Sequence, residues 1–231
     1  MTGTLYIVAT PIGNLKDITL RAIEILKAVD VIACEDTRKT GILLKNILND
    51  EPKPRLISYY EQNEAQRIPE TISAIKDGLN IALVSDAGTP TVSDPGFKLV
   101  REAIKEGIRV ESIPGPSAVI SALVSSGLPT DKFLFLGFLP RKPGHRKQIL
   151  EKTLESLKLV KSTVIFYEAP HKIVHTLEDL KVVFGDIDIV VARELTKIHE
   201  EIRREKVSFS IEHFTKTSPK GEFVVLFNLF T

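Results

Sequence analysis

The chain has 231 residues, 43% of them hydrophobic and 26% charged, and a formal net charge of +1. That is enough apolar material for one large domain or two small ones, and near-neutrality excludes a global positive field that gathers nucleic acid, so any RNA site must be a local patch. The single cysteine, Cys34, excludes an internal disulfide and a cysteine metal framework and fits a reducing, cytoplasmic compartment; the absence of an 18-residue apolar run and of a basic, apolar leader over residues 1–10 predicts no membrane span and no signal peptide.

In chain order, Leu5 to Ala9 reads as a buried strand ending in the turn signal Thr10-Pro11-Ile12-Gly13-Asn14. A helix follows from Thr19 to Ala28, with Ala22, Ile23, Leu26 and Val29 on one face. Val29 to Cys34 reads as a second strand, closed by Glu35-Asp36-Thr37-Arg38, and Leu43, Leu44, Ile47 and Leu48 mark the next helix. Arg55 to Ser58 is a strand, Glu64 to Lys76 a helix and Ile81 to Val84 a strand; a further helix runs to Gly107, before a strand over Arg109 to Ile113. This alternation predicts a mostly parallel sheet with helices on both faces.

The stiff turn Ile113-Pro114-Gly115-Pro116-Ser117 is the expected domain boundary, giving domains over 1–114 and 115–231. Beyond it, Ala118 to Ser125 is a helix, Phe133 to Leu136 a strand, and Leu150, Leu154 and Leu157 mark a helix. Thr163 to Tyr167 is a strand, Ile173, Leu177 and Leu180 mark a helix, and Ile187 to Ala192 is a strand. Glu201 to Val207 and Glu222 to Phe227 read as strands with little helix between them, so the second sheet is expected to be mixed. The fold expected is α/β: two α/β domains, with a cleft between them.

The most distinctive segment is Ser85-Asp86-Ala87-Gly88-Thr89-Pro90-Thr91-Val92-Ser93-Asp94-Pro95-Gly96. It sits at the carboxyl end of a predicted strand and opens into a helix carrying Phe97, Val100 and Ile104, which is where open α/β sheets bind ligands. Glycine backbone and small hydroxyls there can grip a polar small molecule. A second candidate is the cluster Arg141, Lys142, His145, Arg146, Lys147 and Lys152, just after Phe138, which supplies charge and an aromatic face of the kind RNA needs. The dinucleotide G-x-G-x-x-G, the P-loop and the G-x-S-x-G elbow are all missing, and the histidines lack zinc-ligand spacing, so metal-free chemistry is expected.

Five strand-end loops, Thr10 to Asn14, Glu35 to Arg38, Ser85 to Gly96, Pro114 to Ser117 and Tyr167-Glu168-Ala169-Pro170-His171, supply amides, hydroxyls, carboxylates and Arg38, a mix that suits a cosubstrate with an amino-acid end and a ribose. Together with Ser58-Tyr59-Tyr60-Glu61-Gln62-Asn63-Glu64, Gly137-Phe138-Leu139-Pro140-Arg141-Lys142, Ala192-Arg193-Glu194-Leu195-Thr196-Lys197 and Lys220-Gly221-Glu222-Phe223, they run collinear with the tetrapyrrole-methylase superfamily over nearly the whole chain. The chain most resembles the branch that methylates the ribose 2′-hydroxyl of a cytidine in 16S ribosomal RNA. The resemblance implies two α/β domains with a cofactor cleft between them that takes S-adenosylmethionine, held by Pro11, Asp86, Ala87, Gly88, Thr89, Val92, Ser117, Ala118, Glu168 and Leu195, with 16S RNA or the small subunit as partner. Thr10-Pro11-Ile12-Gly13-Asn14 and Asp86-Ala87-Gly88-Thr89-Pro90 depart from the glycine-richer loops of tetrapyrrole-modifying relatives and favour the RNA branch. Methylation of a tetrapyrrole or a protein side chain, or plain RNA binding, are the competing readings.

A ribose hydroxyl needs a proton acceptor to become a nucleophile. Asp36 is the first candidate and Glu35, its neighbour at the same strand end, the second; Asp86, Asp94, Glu168, His171 and Glu194 are rivals. Arg38 and Arg193 are expected to fork onto a phosphate or carboxylate, and Arg141, Lys142, Arg146, Lys147 and His171 to hold the RNA. A homodimer is expected from the resemblance and from the apolar stretch Phe223 to Phe230, most of which reads as core and part of which reads as an interface strand.

Overall fold

A computed structural model describes residues 2–48 and 53–230. By its internal contacts the chain divides into two units, Met1–Ser117 and Ala118–Thr231.

The first unit carries a five-stranded sheet in the order β3-β2-β4-β1-β5, from β1 (Thr4–Val8), β2 (Val31–Cys34), β3 (Arg55–Ser58), β4 (Ile81–Val84) and β5 (Arg109–Ile113). Every pairing is parallel. All four residues of β2 and of β4 are buried, because both faces of the sheet are covered. One face packs on α1 (Leu20–Ala28) and α2 (Thr37–Leu48) through Ala22, Leu26, Leu44 and Leu48 against Val8, Ile32, Ala82 and Val84. The other packs on α3 (Glu64–Lys76) and α4 (Phe97–Lys105) through Ile72, Ile75, Leu99 and Ala103 against Leu5, Val31, Ile81 and Leu83. The two-residue period of each strand deals its side chains alternately to these two cores. The chain leaves β1 toward β2 but leaves β4 toward β5, on the other side of β1, so the order reverses between β1 and β4.

The second unit is also α/β, with a mixed sheet in the order β6-β7-β10-β8-β9, from β6 (Phe133–Phe138), β7 (Thr163–Glu168), β8 (Asp188–Arg193), β9 (Glu201–Lys206) and β10 (Phe223–Phe227). Only β6 and β7 run parallel; β10 pairs antiparallel with β7 and β8, and β8 with β9. One face is covered by α6 (Pro143–Leu159), α7 (Ile173–Phe184) and α8 (Val207–Lys216), whose Leu150, Leu157, Leu177, Leu180, Val207 and Phe214 pack on Phe166, Val191, Phe223 and Val225. The other face receives α5 (Ala118–Ser126), against β7, β8 and β10.

One expectation is corrected here. The segment after β9 is a ten-residue helix, α8, not a plain connection. Its start, Val207-Ser208-Phe209-Ser210-Ile211, alternates apolar and small polar residues and so imitates a strand. The helix forms because Val207, Ser210 and Phe214, at helical spacing, are the positions that reach the core. The apolar run Phe223–Phe227 is core, as most of that stretch reads in the sequence: it lies in mid-sheet, flanked by β7 and β8, and all five residues are buried, so it supplies no interface strand.

Candidate functional site

The site of the first unit grows from the order reversal between β1 and β4, where loops of an open parallel sheet separate and leave room for a ligand. Thr10, after β1, and Gly88, after β4, exchange backbone hydrogen bonds, N–H to O of 2.9 Å one way and 3.0 Å the other. The Thr10 hydroxyl donates to the Ser85 carbonyl at 3.3 Å, and the Thr89 hydroxyl donates to the Pro116 carbonyl at 3.1 Å, tying in the turn after β5. Two glycines allow this approach. Gly88 has φ +80°, and a Cβ there would lie 3.3 Å from Ile12 Cγ2; a Cβ on Gly115 would lie 3.0 Å from Ala9 Cβ. Pro11, Asp86, Ala87, Gly88, Thr89 and Ser117 are thus gathered at the carboxyl ends of β1, β4 and β5, with Val92 exposed farther along the loop. Ala118 opens α5 in the second unit.

The carboxyl end of β2 adds a charged cluster. Asp36 caps α2: its Oδ1 accepts from the Arg38 N–H at 2.9 Å. The same carboxylate takes the Arg38 guanidinium in a fork, Nε to Oδ1 at 3.0 Å and Nη2 to Oδ2 at 2.7 Å. That guanidinium holds the Asp36 carboxyl well below the usual carboxylate range. Asp86 accepts from the Asp36 N–H at 3.1 Å and from Lys39 Nζ at 2.6 Å. Glu35, half-buried, behaves oppositely: burial, and then the negative charge of Asp86, push its carboxyl upward, against a backbone hydrogen bond from Asp86. Two adjacent carboxylates are thereby driven apart, a strongly acidic ion-paired Asp36 and a weakly acidic Glu35. Asp36, the first expected proton acceptor, is the poorer base of the two, and Arg38, whose side chain stays exposed, turns its Nε and Nη2 edge to Asp36. Lys39 was missed in the sequence. Its place four residues after Glu35, in the first turn of α2, is the signal that could have found it.

In the second unit several expected site residues turn out to be engaged internally. The Glu168 carboxylate is buried and saturated: Oε2 accepts from the Thr176 hydroxyl at 2.6 Å, and Oε1 from the Ala169 N–H at 2.7 Å and from Lys172 Nζ at 2.6 Å. It holds the β7–α7 turn together and offers no oxygen to a cofactor. Leu195 is buried in the turn after β8, between Glu194 and Thr196, both at positive φ. Arg193 Nε donates to the Lys220 carbonyl at 2.7 Å and its Nη1 lies 3.3 Å from Glu201. Arg146 is the clearest correction. It is 4% exposed, and its guanidinium grips Asp179 of α7 with Nε at 2.7 Å and Nη2 at 2.6 Å. It is a buried pin between α6 and α7, not part of an RNA surface. Lys147 is half-exposed, 3.5 Å from the same Asp179, while Arg141, Lys142, His145, Lys152 and His171 are exposed. Phe138, 57% exposed, tilts against Tyr167 with ring centroids 5.3 Å apart, so an aromatic face does stand beside Arg141 and Lys142. Among the described residues no group of three His, Cys, Asp or Glu could hold a metal ion, and no helix is long and apolar enough to cross a membrane.

Comparison with known proteins gives a consistent picture. The family model for Tetrapyrrole (Corrin/Porphyrin) Methylases matches residues 4–209. The protein named ribosomal RNA small subunit methyltransferase I from Thermotoga maritima is 46% identical over 224 residues, covering 97% of this chain and 97% of the relative. The protein of the same name from Hydrogenobaculum is 51% identical over 225 residues, covering 96% and 94%. A solved uroporphyrin-III C-methyltransferase from Thermus thermophilus, complexed with S-adenyl homocysteine, superposes with a TM-score of 0.63 at 15% identity, over 97% of each chain, and shares the fold.

Proposed function

The chain belongs to the tetrapyrrole methylase family, and on that premise we propose that it is an S-adenosylmethionine-dependent methyltransferase acting on the 2′-hydroxyl of cytidine 1402 of 16S ribosomal RNA. The observation that carries this reading is near-full-length identity of 46–51% to proteins named as small-subunit ribosomal RNA methyltransferases. The fit of the cofactor is supported by the first unit. Bare backbone at Gly88 and Gly115 lets the loops after β1, β4 and β5 close on one another at the strand-order reversal, and half-buried Glu35, beside Asp86, adds negative charge of the kind a sulfonium or an ammonium group favours. Pro11, Ala87, Gly88, Thr89 and Ser117 would hold it. When bound, it supplies an electrophilic methyl group.

The work left to the protein is to hold the ribose oxygen in line and to take its proton. Glu35 is the proton acceptor in this reading: burial and the negative charge of Asp86 raise its carboxyl and make it the stronger base of the two, whereas Asp36 is tied to Arg38. Arg141, Lys142 and Lys147 hold phosphates, and Phe138 offers a face for a base. Exposed Ile120, Val124 and Phe133 supply apolar surface for a homodimer; the cytoplasm, where ribosomal RNA is, is the compartment this function implies.

The test offers labelled S-adenosylmethionine with assembled small subunits, naked 16S RNA or a precorrin, and maps the methyl group by mass spectrometry. A single 2′-O-methyl on one cytidine of the ribosomal RNA is expected. Transfer only to the precorrin, or tight cofactor binding with no RNA methylation on either acceptor, overturns the reading. A dimeric mass by light scattering at micromolar concentration is expected, and a monomeric one removes the homodimer.

A further inference from the structure

The segment Ser58-Tyr59-Tyr60-Glu61-Gln62-Asn63-Glu64 is not used by the chemistry above, yet it ends in a buried acid. Glu64 is 4% exposed, at the first position of α3. Its Oε1 accepts from the backbone N–H of Gly96 at 3.0 Å and from the Tyr59 hydroxyl at 3.1 Å, and its Oε2 meets Lys98 Nζ at 3.0 Å. Gly96 is the last residue of the Ser85–Gly96 loop and the N-cap of α4, a helix with no side-chain cap of its own residues. Tyr59 is itself buried, 1% exposed, so the anchor on the β3 side is packed into the core. Burial works to raise the Glu64 carboxyl, but Lys98, the Gly96 amide and Tyr59 together hold it lowered, so the group stays charged inside the fold.

The loop needs such an anchor. Thr91 and Ser93, neither a glycine, stand at φ +74° and +63°, a strained conformation that persists only where the surroundings over-determine it. The near end is held by β4 and by the Thr10–Gly88 exchange. The far end turns at Gly96 with φ +123°, where a Cβ would lie 2.4 Å from Leu83 Cδ2, so it packs tightly on β4 and has no room for a side chain. The Gly96 amide is what Glu64 grips.

We propose that Glu64 is a positioning residue: its buried carboxylate fixes the far end of the Ser85–Gly96 loop to Tyr59 and α4, and so holds the loop in its ligand-ready conformation. This rests on the reading of that loop as part of the S-adenosylmethionine site. Glu64→Ala removes all three contacts. Glu64→Gln keeps an oxygen for Gly96 and Tyr59 but turns an NH2 toward Lys98, and Lys98→Met, an exposed change outside the site, relieves that repulsion.

The readouts are S-adenosylmethionine affinity by titration, amide hydrogen exchange over residues 91–98 without ligand, and the split between KM and kcat. Glu64→Ala is expected to weaken cofactor binding about tenfold or more, to speed exchange in the loop, to raise KM for the cofactor and to leave kcat near wild type at saturating cofactor. Glu64→Gln is expected to weaken binding about threefold, and Glu64→Gln with Lys98→Met to restore it. A merely structural role would lower kcat through lost active protein while KM stays put. A folded Glu64→Ala protein with wild-type cofactor affinity and loop exchange overturns the proposal; if that variant does not fold, Glu64→Gln with unchanged affinity and exchange does so. Wild-type protein that binds no S-adenosylmethionine overturns the functional reading instead, and the exchange measurement still decides the anchor.

Discussion

Two carboxylates at the carboxyl ends of strands, Glu35 after β2 and Glu168 closing β7, look alike in the sequence and are opposite in the fold. Glu168 has a hydroxyl, an amide and an ammonium on its two oxygens, and its side chain is sealed from solvent. Glu35 is half-buried, beside the negative charge of Asp86, and its carboxyl is pushed upward. A strand end in an α/β sheet is therefore not a site by position alone. What matters is whether the local donors consume the acid, as in the second unit, or leave it under-compensated, as in the first.

The sharpest way to break this contrast is to neutralise Glu35 and, beside it, the ion-paired Asp36. Glu35→Gln is expected to cut turnover by about 10²–10⁴-fold, the usual share of a general base, with both substrates still bound. Because the deprotonated form is the active one and its pKa is raised, the wild-type rate should climb with pH through a limb above the ordinary glutamate range, and the variant should lose that limb. Asp36→Asn should cost much less, since that carboxylate is already given to Arg38. Equal losses in the two variants, measured by single-turnover kinetics, would erase the distinction between the neighbours.

Arg146→Ala tests the opposite claim, that a charge can be wholly structural. It leaves Asp179 buried with only Lys147 at 3.5 Å, so a loss of stability of about 3–5 kcal/mol in urea titration is expected. RNA affinity of the folded fraction should be unchanged. Wild-type stability with weakened RNA binding would return Arg146 to the RNA surface.

Gly88→Val probes the backbone rather than charge. At φ +80°, with Ile12 Cγ2 3.3 Å from the Cβ position, a branched side chain is both strained and crowded. Cofactor affinity should fall about 100-fold, roughly 2.7 kcal/mol, by titration calorimetry; unchanged affinity in folded protein would move the cofactor elsewhere. The smallest effect is expected from neutralising exposed Arg141 and Lys142 together. RNA affinity should drop and the salt slope flatten by about two units, one per phosphate contact, with cofactor affinity intact. An unaltered slope in a filter-binding salt series would make that patch a solvated helix start.

Much of the fold was legible in the residues. Continuous apolar runs such as Ile81 to Val84 announced strands covered on both faces, and the Gly- and Pro-rich stretches between them announced loops at strand ends. Helix α8 was not legible, because Val207-Ser208-Phe209-Ser210-Ile211 carries the two-residue period of a strand and only its neighbours in the core select the helical one. Likewise the central place of β10 depends on pairing with β7 and β8, which no local pattern encodes.

By itself the sequence determined the parallel first sheet, the mixed second sheet, the strand-end loops and, through its ordered motifs, the family, because these depend on periodicity and on residue types at short range. Only the tertiary structure decided which charges are offered to a ligand. Arg146 meets Asp179 across 33 positions, Gly96 meets Glu64 across 32, and Lys39 meets Asp86 across 47. The availability of a charged group depends on the distant partner that folding brings to it, and that partner lies beyond the reach of any local pattern.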